Sequence, residues 1–170
     1  MGLHIEQGDI TTYRVDAIVN AANCTLLGGG GVDGAIHAAA GPELLEECKN
    51  LGGCETGEAK ITKGYRLPAK YVIHTPGPIW YGGARGEAER LCASYYHSLC
   101  LAEEYGCKTV AFPSISTGVY RFPLALAAPI ALETILSFLQ TAQSVQDVTL
   151  VCFDDQTYQA YQSALKFWQT

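Results

Sequence analysis

The sequence predicts an α/β fold with a mixed, mostly parallel central sheet. Three observations carry that expectation. Four short segments, 17–20, 71–75, 109–113 and 148–153, are apolar without alternation and rich in β-branched or aromatic residues, the pattern of strands buried on both faces. Helical patterns over 34–50, 87–105 and 123–140 separate them, and an amphipathic stretch over 157–168 closes the chain. Each strand candidate also ends in loop chemistry, and open parallel sheets bind their ligands beyond the carboxyl ends of the strands.

Taken in order, a short opening strand leads into Gly8-Asp9-Ile10-Thr11. Asp9 there is either a turn cap or a carboxylate placed to accept from an adenine amine, with Ile10 beside it. The strand over 17–20 runs into two amides, Asn20 and Asn23. Asparagine is common in turns, and two amides can equally serve sugar hydroxyls; Asn23 reads as the sugar contact and Asn20 as a tether between loops.

Next come four glycines, Gly28, Gly29, Gly30 and Gly31, then Val32 and Asp33. Without side chains these residues leave a run of backbone N–H groups open to an anion, and the following helix adds its positive N-terminal end. No Gly-Lys-Ser/Thr follows, and the glycine spacing is wrong for a dinucleotide fingerprint. Asp33 is a plausible helix N-cap, yet an acid beside an anion site is unfavourable unless it has work such as holding or activating water. His37, four residues on, shares its helix face and reads as a hydrogen-bonded structural histidine at the edge of the site. Cys24 and His37 would suit a thiol–imidazole pair, but the sequence places no third group to orient them.

An additional strand over 59–65 connects through four residues to the one over 71–75, which predicts a local antiparallel pair and hence a mixed sheet. The segment Ser114-Ile115-Ser116-Thr117-Gly118-Val119-Tyr120 is a second small-residue turn, with Pro123 suited to the first position of the next helix. It is either ordinary capping or a second phosphate clamp. Pro129 lies inside that helix, where it should bend the element. Among aromatic candidates for stacking on a flat base, Tyr13, Trp80, Tyr81 and Phe153, only Phe153 sits at a strand's carboxyl end.

Composition sets the outer bounds. A chain of 170 residues with no compositional break predicts a single domain over 1–170. The net charge is −6, and no Lys or Arg occurs between Arg14 and Lys49, which argues against duplex nucleic acid as a partner. No uninterrupted apolar run reaches the ~18–20 residues that a bilayer requires, and no secretory signal is visible, so no membrane partner is expected. Seven cysteines, an odd count without a Cys-x-x-Cys pair, read as reduced packing residues of a cytoplasmic protein. No metal-ligand spacing appears, and neither a metal nor a cofactor is expected.

Together these residues resemble the macrodomain family, and its MacroD-type branch in particular. The matching elements are Gly8-Asp9-Ile10-Thr11, Val19-Asn20-Ala21-Ala22-Asn23, the glycine loop through His37, Gly41-Pro42, His74-Thr75-Pro76-Gly77-Pro78 and the 113–120 turn, in order along most of the chain. The resemblance implies a three-layer α/β/α domain that binds ADP-ribose. It places Asp9 and Ile10 at the adenine with Phe153 stacking nearby. It assigns the diphosphate to residues 28–32 and 116–120, and the distal ribose to Asn23 and Asp33, with Gly30 and Tyr120 shaping its pocket. It implies a hydrolase that removes mono-ADP-ribose from acidic side chains of modified proteins and deacetylates O-acetyl-ADP-ribose. Asn23 and Asp33 would be its catalytic residues, with attack by water and no metal. A non-catalytic ADP-ribose reader, or a phosphatase acting on ADP-ribose 1″-phosphate, would use the same pocket.

Overall fold

The structure is a computed structural model and describes residues 2–169. Six strands form one sheet: β1 (Gly2–Gln7), β2 (Ala17–Ala22), β3 (Lys60–Lys63), β4 (Tyr71–Pro76), β5 (Thr109–Phe112) and β6 (Asp147–Cys152). Their order is β1-β6-β5-β2-β4-β3. Every pairing is parallel except that of β3 with β4, so the sheet is mixed in the manner the short 66–69 connection predicts. Five helices complete the fold: α1 (Gly31–Ala40), α2 (Pro42–Lys49), α3 (Glu87–Glu104), α4 (Leu124–Thr141) and α5 (Asp155–Gln169).

The period-two alternation of the strands divides the core into two layers. Ala17 and Val19 of β2, Val110 and Phe112 of β5, and Val148 and Leu150 of β6 pack against α3, α4 and α5. Their neighbours Ile18, Ala22, Ala111 and Val151 face the other way, against Ile36 and Ala40 of α1 and Leu44 of α2. Helices on both faces explain why the strands read as continuous apolar runs. They give the three-layer α/β/α architecture.

Two expectations change. The helical pattern over 34–50 is two helices, and the first begins earlier, at Gly31. The break is Gly41, whose φ of 87° is left-handed backbone, followed by Pro42, which has no N–H to continue the ladder. Helix α4 runs unbroken through Pro129, which sits on its exposed side. Although Glu133 interrupts it, α4 is by length and composition also apolar enough to cross a membrane, with a mean hydropathy of 1.5. Here it packs between α3 and α5 through Ala127, Ala128, Ala131, Leu132 and Ile135, all buried.

Candidate functional site

The carboxyl ends of β2, β5 and β6 open onto a cleft of about 720 Å³. One wall is the glycine loop between β2 and α1; the other is the turn between β5 and α4. Asp9, Ile10, Asn23, Gly29, Gly30, Gly31, Val32 and Asp33 line it from one side, and Ser114, Ser116, Thr117, Gly118, Val119, Tyr120 and Phe153 from the other. Asp154, in the strand-end segment that follows β6, and Thr157, which carries no local signal in the sequence, also line it.

Gly28, His37 and Asn20 do not line this cleft. Gly28 and His37 face a separate, shallower groove of about 470 Å³ behind the glycine loop, bordered by Leu27, Pro42 and Leu45. Asn20 is fully buried beneath the site. As direct ligand contacts these three are therefore corrected: strand parity turns Asn20 into the layer under α1, and the loop turns Gly28 away.

The glycine loop is shaped from below. Asn23 Oδ1 accepts hydrogen bonds from Thr25 N at 3.1 Å, Thr25 Oγ1 at 2.6 Å and Leu26 N at 3.2 Å. Its Nδ2 donates to the Gly28 carbonyl at 3.0 Å, leaving its second hydrogen for the cleft. Gly28 has a φ of 95°, which a side chain would strain. A Cβ on Gly34 would stand 2.5 Å from the Gly29 carbonyl, so glycine is needed for helix and loop to approach.

Asp33 lies inside the first turn of α1 and is 4% exposed. It is not the N-cap; Gly30 holds that position without a side-chain bond. Its Oδ1 accepts from Asn20 Nδ2 at 2.9 Å and stands 3.4 Å from His37 Nε2. That second contact is poorly directed, and Nε2 has no hydrogen-bond partner, so it is electrostatic proximity rather than a hydrogen bond. The other oxygen, Oδ2, points at the glycine loop, 3.2 Å from where a Cβ on Gly29 would sit. One oxygen is held inside and the other is presented. Cys24 pairs instead with Thr56 Oγ1 at 3.5 Å, so no thiol–imidazole pair forms.

The facing turn is strapped by hydroxyls. Ser114 Oγ lies 2.6 Å from Thr117 Oγ1 and 2.8 Å from the Tyr161 hydroxyl, and Ile115 N donates to the Tyr95 hydroxyl at 3.2 Å. Trp80 N donates to the Tyr120 carbonyl at 2.8 Å, and the Trp80 ring packs on Phe122 at 4.7 Å. Trp80 in turn follows from Glu87, whose carboxylate accepts from Tyr81, Gly83 and Arg85 N–H groups. These bonds pull the Glu87 pKa down to about 2. Burial raises that of the Tyr120 phenol, with Cys24 and Asp33 nearby adding to it.

Two properties define what the cleft can hold. Among the described residues, the backbone N–H groups of 29–32 and 117–120 donate no hydrogen bond within the protein. The lining carries the carboxylates of Asp9, Asp33 and Asp154 but no Lys or Arg. Such a site takes an anion through main-chain dipoles and a helix N-terminus, with Phe153, 88% exposed, offering a ring face at its edge. Asp9 Oδ1 is committed to Thr11 N at 3.0 Å and Thr11 Oγ1 at 2.7 Å, while its carboxylate lies at the cleft's other end.

Comparison with known proteins agrees with this reading. A family model described as Macro domain matches residues 19–131. A Macro domain-containing protein of Lactiplantibacillus plantarum is 64% identical over 164 residues, covering 96% of this chain and 95% of that protein. A protein of Citrobacter rodentium named O-acetyl-ADP-ribose deacetylase is 54% identical over 167 residues, covering 96% and 94%. Among solved structures, an Oceanobacillus iheyensis macrodomain mutant with ADPR superposes with a TM-score of 0.93 at 46% identity, covering 98% and 93%. A Trypanosoma brucei macrodomain in complex with ADP-ribose superposes at 0.91 and 43% identity, covering 96% and 68%.

Proposed function

The chain belongs to the macrodomain family, and from that premise we propose that it binds ADP-ribose in the cleft and hydrolyses its acyl esters. The diphosphate is held by the open N–H groups of the two loops, the adenine lies toward Asp9 and Ile10 beside the ring of Phe153, and the distal ribose lies between Asn23 and Asp33. Substrates of this class are O-acetyl-ADP-ribose, as the relative named a deacetylase suggests, and mono-ADP-ribose esterified to Glu or Asp side chains of proteins.

The observation that carries the enzyme reading is the division of Asp33. Recognition of a diphosphate gains nothing from a nearly buried carboxylate beside the anion cradle, with no cation lining the cleft to offset it. A carboxylate with Oδ1 fixed and Oδ2 presented suits a water held between it and a ligand phosphate. That water attacks the ester carbonyl; Asp33 or the phosphate oxygen accepts its proton and passes it to the ribose oxygen as the acyl C–O bond breaks, releasing a carboxylic acid and ADP-ribose with its hydroxyl restored. Asn23 supports the same place through its remaining amide hydrogen.

The test pairs calorimetric titration with ADP-ribose and two release assays, one on O-acetyl-ADP-ribose and one on a mono-ADP-ribosylated glutamate peptide. Micromolar binding with release from at least one substrate is expected. Binding without release from either would make the protein a reader, and a requirement for added metal would overturn the water-and-carboxylate mechanism.

A further inference from the structure

The polar network behind Asp33 extends deeper into the fold than Asp33 alone requires. Asn20 of β2 is the register partner of His74 in β4, and the neighbouring residues Ile18 and Val72 place that parity on the α1 and α2 side of the sheet. His74 meets Thr62 of β3. Asn20 and His74 are 0% exposed and Thr62 is 3% exposed. We propose that His74 is a positioning residue: acting through Asn20, it fixes the orientation of the Asp33 carboxylate, with one oxygen held inside and the other toward the cleft. This role rests on the hydrolase reading above.

The hydrogens can be assigned from the acceptors around them. Thr62 Oγ1 lies 3.1 Å from the Lys63 carbonyl and 3.5 Å from the Val72 carbonyl, and neither can donate. Its hydrogen can go to a carbonyl or to His74 Nε2, 3.0 Å away, so the ring is assigned from its other side. The Asp33 carboxylate can only accept, which turns Asn20 Nδ2 toward it; the same nitrogen meets His74 Nδ1, so Nδ1 accepts and Nε2 carries the ring proton and donates to Thr62 Oγ1. Asn20 Nδ2, 3.3 Å from Nδ1 and 2.9 Å from Asp33 Oδ1, gives one hydrogen to each.

Turned over, the amide would set its carbonyl oxygen against a carboxylate oxygen and a ring lone pair together. Asn20 Oδ1 has no partner of its own, so the two contacts of the nitrogen alone decide the orientation. Burial, with His37 nearby, pushes His74 down to about 3, and the ring is neutral at physiological pH. Cys48 Sγ lies 3.9 Å from Nε2, and the His37 ring stands 6.3 Å away, centroid to centroid. A core histidine that merely packs would commonly be satisfied by a backbone carbonyl. All three polar partners of the ring nitrogens are side chains, and one of them leads to Asp33.

The experiment joins nitrogen NMR of the wild-type imidazole to kinetics of His74→Phe and His74→Gln. The expected wild-type spectrum is a neutral ring protonated at Nε2; a proton on Nδ1 would overturn the proposal. His74→Phe should lower kcat about 30-fold while the ADP-ribose Kd moves less than about twofold. His74→Gln, whose amide accepts from Asn20 and donates to Thr62, should recover kcat to within about fivefold of wild type. An unchanged kcat in the Phe variant, a Gln variant no better than Phe, or a joint loss of kcat and binding would each overturn it. Should the Phe variant not fold, Thr62→Val removes only the hydroxyl that pairs with Nε2; about a fivefold loss in kcat with unchanged Kd is expected, and no loss overturns the role. A wild-type protein that turns over no ester would remove the hydrolase reading and this role with it, whereas turnover unmoved in the variants would remove this role alone.

Discussion

The two loops that face each other across the cleft are built by opposite means. The glycine loop dispenses with side chains and is shaped by amides and a carboxylate beneath it: Asn23 bonds Gly28, and Asp33 is held by Asn20. The 114–120 turn keeps its side chains and is strapped by hydroxyls from distant helices, Tyr95 of α3 and Tyr161 of α5, and by the main chain at Trp80. Both leave a row of open N–H groups. They differ in where damage should appear. Chemistry is concentrated under the first loop, so changes there should act on turnover or on ligand entry. The second loop is a passive clamp, so changes in its supports should act on affinity and stability.

Asp33→Ala is the strongest probe of that contrast. Turnover should fall on the order of 10³-fold, while ADP-ribose Kd stays within about tenfold, or ~1.4 kcal/mol. Equal losses in both would erase the distinction between the loops. Gly30→Glu comes next. Its backbone is ordinary, with φ of −92°, and a Cβ there meets nothing within 4 Å, so the protein should fold normally. Its added bulk and charge should weaken ADP-ribose binding about 100-fold or more by calorimetry; unchanged affinity would mean the glycine loop is not the cradle.

For the second loop, Tyr161→Phe removes the hydroxyl bonded to Ser114 but keeps the buried ring. A loss of roughly 1 kcal/mol in stability is expected, with ADP-ribose affinity reduced up to about fivefold and kcat nearly unchanged. A large kcat effect would make this loop catalytic after all. Two smaller effects test the electrostatics. Because the lining carries carboxylates and no Lys or Arg, Kd for ADP-ribose should stay level or tighten slightly between low and moderate salt, not weaken as cationic sites do. Finally, the Glu87 pKa is lowered in the folded protein. Its stabilisation is therefore present above its unfolded value and is lost as pH falls from there toward about 2. Glu87→Gln should flatten that part of an acid melting profile, and an unaltered profile would show that the 81–86 loop does not depend on the carboxylate.

The layered fold was readable because strands buried on both faces leave nothing polar to alternate. The 34–50 helix was misjudged because amphipathic periodicity continues across Gly41-Pro42, although a glycine followed by a proline is itself a break signal. Asn23 and Asp33 stood out locally, from their places beside the glycines. Asn20 reads from sequence only as a tether between loops, and its link to Thr62 and His74 is hidden there, because it arises only when β2, β3 and β4 lie side by side. The hydroxyl straps were equally hidden: Ser114 and Tyr161 are 47 residues apart, and nothing near either one announces the other.

The open N–H rows also decide how this protein fails. A recognition surface made of main chain has no side chain to delete, so truncating Val32, Thr117 or Val119 removes none of its donors, whereas even alanine is an addition at Gly29, where a Cβ would stand 3.2 Å from Asp33 Oδ2, and at Gly31, with its φ of 59°. Harm comes from addition, through any substitution that puts atoms into the space the glycines leave.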